Sequence, residues 1–266
     1  MAAMYAVYHG PSGIEQIARR VHTLTQLLKQ HIEGFGYEII NGAAFFDTLT
    51  IDVGSSGQDP ESIHRIAVDM GINLRRMDER HVGITLDESA SPSDVVDLVN
   101  IFASASGSSP VTLAMLRIPE KMSLDSSFAL TRTSRYLQHL VFNSHHSETE
   151  MLRYLHHLQA KDLSLVHAMI PLGSCTMKLN STSSMIPLTW PEFSNIHPFA
   201  PVEQVQGYAQ IVKVSDCDSD EYQLAHPHVG VGRGSVQNHW LPSLFVAAKL
   251  WSSWGICRLD SYTRVS

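Results

Sequence analysis

Apolar residues recur at intervals of three and four through Ile14, Ile17, Ala18, Val21, Leu24, Leu27 and Leu28, which predicts a long amphipathic helix over 11–34. Pro11 and Ser12 supply its start, and Gly34 and Gly36 stop it. The pattern then turns to β-type. "YEIINGAAFFDTLTIDVG" holds two strand-like runs, and Asn41-Gly42 between them is the strongest short hairpin signal. Residues 59–71 predict a helix opened by Pro60, acidic in its first turn and closed by Gly71. Residues 72–86 predict two further short strands, the second being "HVGITL". Residues 91–106 predict a helix with Ser91 and Pro92 in cap positions and with Val95, Val96, Leu98, Val99, Ile101 and Phe102 facing inward. Helix, strands, helix, strands, helix make an α+β layer of about 100 residues, an ordinary domain size.

The pattern loosens afterwards. "SASGSSPVT" at 104–112 marks a boundary. Residues 128–142 carry few breakers and are expected to be helical. Residues 147–162 predict a helix in which Ser147 and Glu150 form a capping box and Met151, Leu152, Leu155 and Leu158 form one stripe. Residues 163–201 contain five prolines and read as loops, and 201–214 as the opening turns of another helix. From Ser215 the character changes to an acidic run, a glycine-rich run and a tryptophan-rich run without clear period.

Composition narrows the function classes. The chain of 266 residues is 44% hydrophobic, enough to bury a substantial core. A net charge of −7 argues against nucleic acid as a partner, because phosphate contacts need a basic face. Cys175, Cys217 and Cys257 are too few and too scattered for a disulfide framework or a cysteine-rich zinc module, and they fit a reducing compartment. No apolar run approaches the roughly 18 residues of a membrane span. The start of the chain shows neither a secretory nor a transit pattern.

The candidate chemistry is mostly weak. The histidines number 15, but the pairs His145/His146 and His156/His157 are splayed by about 100° on a helix, and no zinc motif accompanies them. They read as surface or capping residues. "GVGRG" at 230–234 lacks the partners of a phosphate loop and reads as a flexible segment. Cys175 has no nucleophile-elbow sequence around it and reads as inert. The densest polar cluster is "IPLGSCTMKLN" at 170–180, which holds Gly173, Ser174, Cys175, Thr176, Lys178 and Asn180. Either this loop touches a polar ligand or partner, or its side chains organise an ordinary turn. The spacing leaves both readings open.

Three stretches, "MAAMYAVYHGPSGIEQIARRVH", "LQHLVFNSHHSETEMLRYLHHL" and above all "KDLSLVHAMIPLGSCTMKLNSTSSMIPLTWPEFSNIHPFAP", closely resemble the pyridoxal-phosphate-dependent glycine decarboxylase family, the P protein of the glycine cleavage system. The resemblance runs from about residue 1 to about residue 213. It implies an α/β fold class, with an α+β small domain of the fold-type I, aminotransferase-like kind, then an extended helix and loop segment and an irregular tail. Residues 1–110 would be an interdomain helix plus the small domain of the family's first half, 111–165 the helical linker between halves, 166–213 the start of the second half, and 214–266 an atypical tail.

The family uses pyridoxal phosphate, whose ring acts as the electron sink when glycine loses CO2. Its partners are a lipoylated H protein and a second P-protein subunit or half, and in eukaryotes it is mitochondrial. Its catalytic lysine directly follows a histidine and lies beyond the part matched. None of the six lysines (Lys29, Lys121, Lys161, Lys178, Lys213, Lys249) follows a histidine, and the aspartate that pairs with the cofactor's ring nitrogen has no counterpart. The resemblance therefore implies no catalytic residue and no bound cofactor for this chain. It implies a non-covalent role for the 173–180 loop, at a cleft or the interface beside it. The expectations are an inactive truncated form with an unrelated C-terminus, a non-enzymatic piece that binds full-length P protein, or an unstable product.

Overall fold

Pro11 has no N–H to donate, its ring excludes the carbonyl of residue 7, and it pushes the preceding residue out of the helical conformation. In the computed structural model, which describes residues 2–42, 45–119, 132–163, 182–197, 199–210 and 257–258, this position breaks a 33-residue helix, α1 (Ala2–Gly34). Gly10 absorbs the break at φ 64° and ψ −179°, a combination open essentially to glycine alone. A helix does start at Pro11, as the sequence predicts, and a further helical segment precedes it.

Beyond the break, α1 buries Val21, Leu24, Leu27, Leu28 and Ile32. Thr23 and Thr25 are buried beside them, and their hydroxyls donate to the carbonyls of Arg19 (2.8 Å) and Val21 (2.9 Å). Each buried hydroxyl is thus satisfied inside its own helix.

In chain order the strands are β1 (Glu38–Ile39), β2 (Thr48–Asp52), β3 (Ile72–Asn73), β4 (Arg75–Arg76), β5 (His81–Thr85) and β6 (Cys257–Arg258). Four form an antiparallel sheet in the order β1-β2-β5-β4. Its central register sets Leu49 opposite Ile84 and Ile51 opposite Val82, and all four side chains are buried. Period-two alternation turns them to one face.

The helices α2 (Pro60–Asp69) and α3 (Pro92–Ser106) complete the layer, with α3 packed on both α1 and α2. Asp59 caps α2 by accepting from the Glu61 amide, while Ser91 and Asp94 form a reciprocal capping box on α3. Phe102 is fully buried and meets the Tyr37 ring edge-on at 5.2 Å. The result is a mixed helix and antiparallel-sheet fold.

Three local expectations change. The hairpin between β1 and β2 is not the two-residue turn that Asn41-Gly42 suggests: residues 40–47 separate the strands. Asn41 spends its side-chain oxygen on the Thr50 amide, as asparagines in turns do, so the turn widens. The first run of 72–86 divides at Leu74 into β3 and β4. Residues 132–139, expected to be helical, are irregular, and Leu140–Asn143 form a single 3-10 turn. Leu137 stands at φ 49°, and the Asn143 amide donates to the carbonyls of Leu137 and His139, so side chains occupy the carbonyls that a helix would use.

The predicted helix after Ser147 is present as α4 (Glu148–Gln159), with the Ser147 hydroxyl accepting from the Glu150 amide at 3.3 Å. None of its residues is buried. The chain divides into two units, residues 1–70 with 74–168, and residues 71–73 with 169–266. In the second, the described parts are 3-10 turns over Thr182–Thr189 and Val202–Gln204, the short helix α5 (Pro191–Ser194), helical residues 206–210 and the antiparallel β3–β6 pair. The side-chain amides of Asn73 and Gln204 exchange two hydrogen bonds there, at 2.7 and 3.1 Å. The expected irregular tail lies outside the described residues, apart from 257–258. Among the described residues, no helix is long and apolar enough to cross a membrane.

Candidate functional site

The six residues that the sequence singles out, Gly173, Ser174, Cys175, Thr176, Lys178 and Asn180, lie outside the described residues. Of the lysines, Lys29 and Lys161 are described. The Lys29 ammonium lies 3.7 Å from the Glu33 carboxylate, donates to the Gly42 carbonyl at 3.4 Å and sits 4.8 Å from the centre of the Phe45 ring. Lys161 is exposed just beyond α4. A lysine that takes up an aldehyde cofactor needs a desolvated, shaped pocket. Lys29, engaged with Glu33, Gly42 and Phe45, and the exposed Lys161 are not held in that way. Among the described residues, no three metal-ligating side chains gather either.

The densest polar arrangement among the described residues surrounds the break in α1. Upstream of Gly10, the Tyr5 hydroxyl donates to the Glu88 carboxylate. Burial, then the bond to Glu88 and its charge, push the Tyr5 phenol well above its ordinary range, so it stays protonated and acts as a donor. His9 lies between two rings, 4.3 Å from Tyr5 and 5.3 Å from Tyr8. Downstream, the Arg20 guanidinium donates to the carbonyls of Glu88 (2.8 Å) and Ala90 (2.6 Å).

From the other side comes the 132–146 segment. Its Tyr136 hydroxyl donates to the Pro11 carbonyl at 2.7 Å, and His146 Nδ1 lies 2.8 Å from the Tyr8 carbonyl, which requires a proton on that nitrogen. A Cβ on Gly10 would stand 2.8 Å from both His146 Cε1 and the Phe142 carbonyl oxygen. Next to this, His145 stacks on Tyr154 at 4.4 Å with its Nδ1 enclosed and without a hydrogen-bond partner. The arrangement binds backbone carbonyls and fixes a bend. It offers donors, and no described nucleophile with a base beside it.

A second polar group lies at the β4–β5 end of the sheet. Arg76 reaches Glu61 through two contacts, Arg80 meets Asp52 at 2.8 Å, and His81 meets Asp78 at 2.7 Å. The Arg76 bond holds the Glu61 carboxyl below its usual range, and the Arg80 amide, then His81, do the same for Asp78. Arg76 and Arg80 are thus matched to carboxylates of the same surface.

Pro11 is legible in the sequence, and the joint around it is not. The Gly-Pro dipeptide carried the signal for the break, whereas nothing in the spacing of Tyr5, Glu88, Tyr136 and His146 tells that they meet.

Residues 1–102 match the model of the family described as "Glycine cleavage system P-protein". A protein of Schizosaccharomyces pombe named as a mitochondrial glycine dehydrogenase (decarboxylating) is 46% identical, over 80% of this chain and 21% of its own length. A glycine dehydrogenase (decarboxylating) of Paraburkholderia xenovorans is 49% identical, over 80% of this chain and 22% of its own. The chain thus spans about a fifth of the length of these curated relatives.

Proposed function

We propose, from a chain that belongs to the glycine cleavage system P-protein family, that it derives from a pyridoxal-phosphate-dependent glycine decarboxylase that passes the aminomethyl group to a lipoylated H protein. We also propose that this chain alone does not perform the reaction. The observation that carries the reading is the identity of 46% and 49% to two proteins named glycine dehydrogenase (decarboxylating). On this reading, residues 1–110 are the interdomain helix and small domain of a fold-type I first half. The linker is then 111–165, and the second half opens at 166–213. Exchange of labelled CO2 into glycine, with pyridoxal phosphate and lipoylated H protein added, should be at background for the purified chain. Turnover by the chain alone would refute its inactivity, and exchange activity absent from the full-length relatives would refute the reading as a whole.

One observation favours a second role. Leu152 and Leu155 of α4 are 58% and 42% exposed, and a lone helix of about 12 residues is marginal in water without cover. On this reading, the uncovered stripe binds a full-length P protein. Sedimentation with the full-length Paraburkholderia xenovorans relative should then give a complex that the pair Leu152→Glu and Leu155→Glu abolishes. Unchanged binding by the variant removes this role. In a eukaryotic source the compartment would be the mitochondrion, as in the name of the yeast relative.

A further inference from the structure

We propose that residues 132–146 are a strap that sets the direction of the first segment of α1, residues 2–9, and that the helix itself does not. Across the break, Pro11 has no amide proton to give, and Gly10 has left the helical region. A glycine joint of this kind rotates easily, so the bend needs an external partner.

The strap supplies it on both sides. His146 donates to Tyr8, upstream of the joint, and Tyr136 donates to Pro11, downstream. Between them, His146 and the Phe142 carbonyl fill the volume that a side chain at residue 10 would occupy. The strap is itself fastened: the Asn143 amide holds the Leu137 and His139 carbonyls, and His139 Nδ1 accepts from the Val141 amide at 3.2 Å. The joint has a second tie, the 88–90 loop, which receives Tyr5 from upstream and Arg20 from downstream. The segment before the sheet and the segment after it are thereby coupled. Release of the strap leaves residues 2–9 held only by the Tyr5–Glu88 bond, and so looser, while the sheet stays folded.

Amide hydrogen exchange of the full chain tests this. In the double variant Tyr136→Phe and His146→Ala, amides at residues 6–9 should exchange about tenfold faster, the scale expected from two lost hydrogen bonds. The amides of β2 and β5 should keep their rates. Reciprocally, Gly10→Ala should accelerate exchange at 140–146. If residues 6–9 keep their rate in the double variant, the strap is refuted. It is equally refuted if β2 and β5 accelerate by the same factor, because that outcome means general destabilisation. The double variant leaves the glycine intact, so the test holds even if Gly10→Ala does not fold.

Discussion

Gly10 is the residue on which two independent demands fall. Its backbone occupies a region costing other residues about 1–3 kcal/mol, and its missing Cβ leaves room for His146 and Phe142. Gly10→Ala should therefore lower stability by at least about 1–3 kcal/mol, whereas Gly36→Ala, at φ 88° with nothing within 4 Å of the added carbon, carries the conformational term alone. Parallel urea melts would show the larger loss at residue 10, and equal losses would mean that the contacts do not matter.

His145 makes the opposite case. Its enclosed Nδ1 has no partner, while its ring stacks on Tyr154. His145→Phe keeps the stack and removes the unsatisfied atom, so it should be neutral or stabilising by up to about 1 kcal/mol. A clear loss in melting temperature would show that the nitrogen is bonded after all.

His64, buried on α2, has its pKa pushed down, first by burial and then by the Arg76 charge, with Glu61 partly opposing. The folded protein therefore takes the proton less readily than the unfolded chain does. Stability from this group is complete above the ordinary histidine value of about 6.5 and is lost as pH falls through the lowered folded value. The fall in melting temperature between pH 7 and 5 should be shallower in His64→Leu than in the wild type. Identical slopes would place the titration elsewhere.

At the scale of elements, legibility followed the locality of the cause. The starts of α2, α3 and α4 were readable because Asp59 and Pro60, Ser91 and Pro92, and Ser147 lie within a few residues of what they cap. Ser91→Ala should cost about 1 kcal/mol, measurable by chemical denaturation. A change below about 0.3 kcal/mol would show that Asp94 caps the helix unaided.

The structure departs from the local pattern where a partner is distant or a side chain competes with the backbone. Asn41 widens the hairpin by bonding Thr50, and Asn143 with His139 makes a turn from a stretch that looks helical. The segment before Gly10 was missed because Pro11 reads as a start, and a start does not tell what precedes it. The candidate site of 173–180 was a matter of composition. Family resemblance gave it meaning, since its spacing fits a turn as well as a ligand loop.

At the scale of the molecule, one layer and one stripe decide the behaviour. The interior of the layer joins Leu28, Ile32, Leu49, Ile51, Val82, Leu98 and Phe102, all essentially inaccessible, whereas no residue of α4 is fully buried. The layer accounts for folding, and the uncovered leucines are the surface on which the proposed binding role rests. The chemistry of the family depends on a lysine that captures pyridoxal phosphate, and neither Lys29 nor Lys161 is placed for it. The most direct measurement is a pyridoxal-phosphate titration of the folded, purified chain, with borohydride fixation and peptide mapping. No imine absorbance and no lysine adduct are expected, alongside a folded circular-dichroism spectrum. A saturable imine band fixed onto one lysine, Lys178 above all, would contradict that expectation and make this chain a cofactor-binding protein in its own right.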